Sequence, residues 1–90
     1  RDKKSFRKVV LIDRLNNNVL ETGFVTDEYT LNGEIFYSVF IPTGPNPTAG
    51  FIINIPAIVI IKESSKIDKA MKSVISCGAG TNSIWSDSNV

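Results

Sequence analysis

The sequence predicts a small α+β domain that is mainly β: a barrel-like or strongly curved sheet of four to six strands with one C-terminal amphipathic helix. Three observations predict it. Runs rich in β-branched and aromatic residues recur between Val9 and Ile61, the composition that suits a pleated, half-buried surface. Asn32-Gly33 lies between two such runs, and both residues tolerate the positive φ of a tight hairpin turn. From Ser65 to Gly78 the apolar spacing becomes that of a helix, with Ile67, Ala70, Met71, Val74 and Ile75 on one stripe.

Size and composition bound the answer further. Ninety residues make one domain, which buries roughly 60–65% of the surface its unfolded chain exposes. With 42% hydrophobic and 21% charged residues, the chain lies far from the disordered regime. A net charge of +1 selects no partner by sign, although Arg1, Lys3, Lys4, Arg7 and Lys8 crowd the N-terminus. One cysteine, Cys77, excludes an internal disulfide framework and favours a reducing compartment. The organisation read from these features is a basic juxtamembrane-type lead over 1–8, a β-rich domain with its helix over 9–80, and a polar tail over 81–90.

In chain order, Val9 to Ile12 is the first strand and Asp13 to Asn18 a polar loop. Val19 to Thr30 is the second strand, where Gly23 marks a bulge or a close backbone approach. Glu34 to Ile41 alternates Ile35, Tyr37, Val39 and Ile41 with Phe36, Ser38 and Phe40. Both faces are mostly apolar, as in a central strand covered on two sides. Phe51 to Ile55 and Ala57 to Ile61 read as two short strands with Pro56 as a corner or edge between them. Together they reach only about half of the roughly 20 residues a spanning helix needs. For the helix, Ser65 is the expected N-cap, Asp68 the capping-box acid and Gly78 the left-handed stop.

Between the apolar runs, Pro42 to Gly50 packs Pro42, Thr43, Pro45, Asn46, Pro47, Thr48 and Gly50 into one constrained stretch. Proline fixes φ and glycine opens otherwise forbidden angles, so an ordered loop is expected. It has a structural reading, a rigid joint whose Asn46 side chain bonds local backbone. It also has a contact reading, in which Thr43, Asn46 and Thr48 are presented to another subunit at little entropic cost. A phosphate cradle would use the glycines and threonine hydroxyls, but the glycine-lysine-serine/threonine ending of a phosphate loop is missing.

A strand with Gly23-Phe24-Val25-Thr26, then Val39-Phe40-Ile41-Pro42-Thr43, then Pro45-Asn46-Pro47-Thr48-Ala49-Gly50-Phe51, and finally Val74-Ile75-Ser76-Cys77-Gly78 carry a resemblance in their order. Over roughly Val9 to Gly80 the chain resembles the soluble part of a bacterial and plant membrane-protein family of unknown function that includes the plant continuous-vascular-ring proteins. It departs from that pattern at Ala49, where serine is frequent, at Cys77, where glycine is usual, and over Ala57 to Ile60, which is more apolar. The resemblance implies two membrane-spanning helices ahead of this segment and no enzymatic activity. Lys3, Lys4, Arg7 and Lys8 would then be lipid-facing, since juxtamembrane cations favour the cytoplasmic face. A solvated basic arm is the other reading.

No histidine occurs in the chain, which removes the usual general base and the Ser/His and Cys/His pairs. Cys77 near the helix C-terminus reads as a buried or inert thiol, because the dipole there disfavours a thiolate. Asp27-Glu28 lacks the repeated oxygen spacing of a calcium loop. Phe36, Tyr37 and Phe40 have no interleaved basic surface, so nucleic acid is not an expected partner. Trp85 has two readings, docking back on the domain or onto a neighbour or membrane. The expectation is therefore a non-catalytic module without catalytic residues, cofactor or metal, on the cytoplasmic side of a membrane-anchored protein. It self-associates or meets a membrane partner, and the ligand, if any, is unspecified. The alternative is a ligand- or ion-handling component of a membrane transport system.

Overall fold

A computed structural model describes residues 6–87. Five strands, β1 (Lys8–Ile12), β2 (Glu21–Leu31), β3 (Glu34–Thr43), β4 (Asn46–Pro56) and β5 (Ile60–Ser64), are followed by α1 (Ile67–Ile75) and α2 (Asn82–Trp85). All strand pairs are antiparallel, in the spatial order β4-β3-β2-β1-β5. The sheet is open, with β4 and β5 as its two edges, so the barrel-like expectation is corrected to an open, curved sheet.

Chain length dictates the curvature. β4 and β5 lie at opposite edges, yet only a single-turn 3₁₀ helix, Ala57–Val59, joins them. Four residue steps from Pro56 to Ile60 reach at most about 14 Å, whereas the edges of a flat five-stranded sheet lie about 19 Å apart. The sheet must curl to make the link. It bends at β2, whose first half pairs with β1 and whose second half pairs with β3, with a register shift between Val25 and Asp27. A bulge at such a corner is how one strand serves two crossed sheets. Gly23 itself is a close approach: a β-carbon there would overlap Val39 Cγ1 and come within 2.9 Å of Ile41 Cδ1.

Curling creates an inside and an outside, and strand alternation sorts the side chains between them. Val10, Ile12, Val25, Tyr37, Val39 and Ile41 fill the concave core, joined by Ile53, Ile55, Ala57 and Ile60. Val9, Phe24, Ala70 and Ile84 make a second core on the convex face, beneath Phe6, Phe40, Ile67, Met71, Val74 and Trp85. This explains why β3 is apolar on both faces. Fully burying a side chain such as Phe24 stabilises by about 1.5–3 kcal/mol.

The helix departs from expectation at its ends and on its stripe. It starts at Ile67 with Lys66 as N-cap and no side-chain cap; the Ser64 hydroxyl, rather than Ser65, accepts the Lys66 N–H at 3.0 Å. Ile75 is exposed, and Ser73 takes the buried position with its hydroxyl donating to the Ala70 carbonyl at 2.8 Å. At the far end Cys77, not Gly78, is the first left-handed residue, at φ 59°. Cys77 N–H bonds the Val74 carbonyl at 3.1 Å and Gly78 N–H the Ser73 carbonyl at 2.6 Å, the two bonds of a Schellman stop. Nor is 81–87 a loose tail. Ile84 is buried, and Trp85 docks on the domain with its indole N–H donating to the Thr22 hydroxyl at 3.3 Å.

The proline-rich hairpin and the cavity beside it

The stretch expected as a loop is mostly strand. Only Gly44 and Pro45 lie between β3 and β4, with Gly44 at φ 61°, the glycine-first arrangement of a two-residue II′ hairpin turn. The prolines misled because proline cannot donate to a ladder, but β4 is an edge strand and has one side with no ladder to feed. Pro56 does mark the corner: it is the last residue of the edge strand β4, and the 3₁₀ turn after it, rather than a second strand from Ala57, leads into β5.

Pairing runs Thr43↔Asn46 and then jumps to Pro42↔Gly50, so Pro47, Thr48 and Ala49 bulge from the edge. Asn46 closes this bulge: its Oδ1 accepts the Thr48 N–H at 2.9 Å and the Thr48 hydroxyl at 2.7 Å. Thr43 Oγ1 donates to the Ala49 carbonyl at 3.3 Å. Beyond the bulge Gly50 packs against the Ile41 carbonyl, where a β-carbon would overlap that oxygen and sit 2.9 Å from Pro42 Cα. Asn46 and Thr48 thus bond each other and Thr43 bonds the Ala49 carbonyl, all within the hairpin.

Pro42, Gly44 and Pro45 face the C-terminal end of α1 across a cavity of about 390 Å³, opposite Val74, Cys77 and Gly78. The hairpin block and the helix-end block singled out in the sequence meet here; Thr43, Asn46, Pro47, Thr48 and Gly50 do not line it. Glu21 and Thr22 contribute at the wall. Arg14 clamps the Glu21 carboxylate, Nε to Oε1 at 2.8 Å and Nη2 to Oε2 at 3.1 Å, and sets its guanidinium 5.0 Å from the Phe51 ring centroid. The helix C-terminus disfavours an anion and Glu21 is already paired with Arg14, so no cation lining the cavity supports the phosphate-cradle reading. Cys77 is exposed, so of the two expectations, buried or inert, the buried one is corrected.

Of the cations expected to face lipid, Lys3 and Lys4 lie outside the described residues. Arg7 is exposed and loosely paired with Asp27 at 3.9 Å. The Lys8 ammonium turns instead to the Tyr37 hydroxyl at 3.0 Å and Glu63 Oε1 at 3.2 Å, while the Tyr37 hydroxyl donates to Glu63 Oε2 at 3.3 Å. This cluster ties β1, β3 and β5 together. The hydrogen bond to Tyr37 raises the Lys8 pKa above its ordinary value, against partial burial and with help from Glu63. Among the described residues no group of three acidic, cysteine or histidine side chains is placed to hold a metal ion.

Sequence reasoning missed two contributors. Cys77 takes part through its left-handed backbone, for which the sequence signals were the neighbouring Gly78 and the glycine usual at this position in the resembled family. Arg14 reaches Glu21 across a turn built by Asp13, whose carboxylate accepts the N–H groups of Asn17 and Asn18 at 3.0 and 2.9 Å.

No solved structure and no curated protein matches the chain. A family model described as protein of unknown function (DUF502) matches residues 1–49, taking in β1, β2, β3 and the proline-rich turn and ending just before Gly50. That span is more than half of the 90 residues, and the chain belongs to this family.

Proposed function

We propose that the chain is a non-catalytic assembly module, the cytoplasmic domain of a membrane-anchored protein that joins copies of itself. The observation that carries this reading is the apolar surface left open along β4 and the 3₁₀ turn after it. Ile52 is 67% exposed, Ile58 81%, and Phe51 and Val59 are exposed beside them. Apolar exposure of this kind, gathered on consecutive segments, marks an interaction site in a soluble domain. The missing histidine and the mutually satisfied polar groups of the hairpin favour a non-catalytic role. The anchor is supported by the two upstream helices that the family resemblance implies and by the basic lead, which would add about 1 kcal/mol per cation at an anionic surface. No helix of the described residues is long and apolar enough to cross a membrane; in this reading the anchor is the pair of helices that the resemblance implies. Light scattering tests the reading: an oligomer is expected, and a monomer at every concentration refutes it.

The second reading, a ligand- or ion-handling component of a transport system, draws on the cavity between the hairpin and α1. A cation there would meet the α1 C-terminus and compete with Arg14 for the Glu21 carboxylate. A cation-induced thermal shift abolished by Glu21→Gln would favour it over the first.

A further inference from the structure

Charge is unevenly spread along the chain. From Leu15 to Ile61 there is no lysine or arginine, and that span holds Glu21, Asp27, Glu28 and Glu34. Of the described cations outside it, most have a carboxylate partner: Arg7 with Asp27 at 3.9 Å, Lys8 with Glu63 at 3.2 Å, Arg14 with Glu21 at 2.8 Å and Lys62 with Asp87 at 3.6 Å. The exception is α1 and its N-cap. Lys66, Lys69 and Lys72 recur every third residue, all exposed, and this spacing makes them neighbours along the helix surface. Lys66 Nζ donates to the Ser83 carbonyl at 3.2 Å, which leaves its charge uncompensated. Lys69 and Lys72 pair with no acidic side chain among the described residues. Asp68 is the one acid on α1, and Ile75, 56% exposed, continues the ridge beyond Lys72.

We propose that this outward ridge, Lys66, Lys69, Lys72 and Ile75, rests on the anionic headgroups of a lipid bilayer. This names the membrane contact of the anchored reading and rests on it. The chain enters the domain on the same face, because Phe6, the first described residue, packs on Phe24 at 5.0 Å between ring centroids in the convex core that α1 covers. The sequence before it adds Arg1, Lys3 and Lys4 against Asp2. All three ridge cations are lysines, point charges on flexible stems that suit a diffuse anionic surface; one tightly held phosphate or carboxylate would call for the planar fork of arginine. The apolar stripe of α1 is spent on the domain's own core, through Ile67, Ala70, Met71 and Val74. The helix therefore lies on headgroups, and only Ile75 is free to dip below them. Such a contact fades within a Debye length, so salt releases it. The ridge has no arginine or aromatic side chain with which to read a nucleic acid.

Co-sedimentation of the chain with lipid vesicles at low salt tests this. Vesicles of phosphatidylcholine with phosphatidylserine bind it, vesicles of phosphatidylcholine alone do not, and high salt releases it. Each lysine near an anionic surface contributes roughly fivefold to binding, so Lys69→Gln/Lys72→Gln weakens it roughly 25-fold. Thr30→Glu/Asn32→Asp lowers the net charge equally at the far hairpin, where Asp-Gly keeps the turn, and leaves binding in place. Equal loss in the two variants overturns the α1 assignment, since net charge alone would then explain it. Binding to both kinds of vesicle or to neither overturns the proposal, as does capture of duplex RNA without capture of vesicles. Should the lysine variant misfold, an environment-sensitive dye decides. Placed on Lys69→Cys in a Cys77→Ser background it shifts to the blue on anionic vesicles, and the absence of a shift overturns the contact. Light scattering reads assembly separately, so this contact can fail while assembly stands.

Discussion

The Asn46 carboxamide oxygen accepts two hydrogen bonds from Thr48, one from its backbone N–H and one from its hydroxyl. These bonds hold the bulge that lets a proline-rich edge pair with β3 on both sides of the register shift. Asn46→Ala removes both and is expected to lower stability by about 1 kcal/mol. Asn46→Asp keeps an acceptor oxygen and restores most of it. Urea denaturation of the three proteins checks the order, and equal midpoints for wild type and Asn46→Ala would contradict it.

Gly50 has no room for a side chain because the Ile41 carbonyl and Pro42 Cα already occupy the space. Both neighbours are backbone and cannot rotate away. Gly50→Ala is expected to cost about 1–3 kcal/mol, the usual toll of overpacking, seen as a lower thermal midpoint. Gly23→Ala meets side chains of Val39 and Ile41 instead, so it should cost less than Gly50→Ala.

Cys77 holds a left-handed φ of 59° in the Schellman stop of α1. A side chain pays about 1–2 kcal/mol for that conformation, part of which glycine returns through its freer unfolded chain. Cys77→Gly is therefore expected to stabilise by about 0.5–1 kcal/mol, while Cys77→Ala brings no gain. Thermal unfolding under reducing conditions distinguishes them.

Lys8 has its pKa raised from 10.5, chiefly by the Tyr37 hydrogen bond. The folded chain then holds this proton more tightly than the unfolded one. Its contribution to stability is complete below pH 10.5 and is lost as pH climbs through the raised folded value. Thermal midpoints of wild type should fall more steeply above that pH than those of Lys8→Met, and parallel curves would show that the cluster contributes nothing.

Local chemistry made most elements legible. The β-branched runs located β1, β2 and β3, Asn32-Gly33 located the turn between the last two, with φ of 53° and 78°, and the apolar period located α1. What local pattern did not carry was the use of neighbours. Pro47 and Pro56 read as breakers because nothing in the sequence says that β4 is an edge, and Pro42 and Pro45 read as loop although they end β3 and fill a two-residue turn. The sheet order, and with it the edge positions of β4 and β5, depends on β1 pairing with β5 across more than 45 residues, a contact without local signature. Trp85 lies in a polar segment, and its dock on Thr22 is likewise a long-range event. The candidate site was legible as two sequence blocks, the hairpin and the helix end; that they share one cavity was not.

Amide hydrogen exchange along β4 at two concentrations, well below and well above the association midpoint, tests the central claim most directly. Assembly through the exposed apolar surface predicts that amides from Phe51 to Val59 exchange more slowly at the higher concentration, while those of Ile61 to Ser64 on β5 are unchanged. Equal exchange of β4 at both concentrations, or slowing confined to β5, would contradict it.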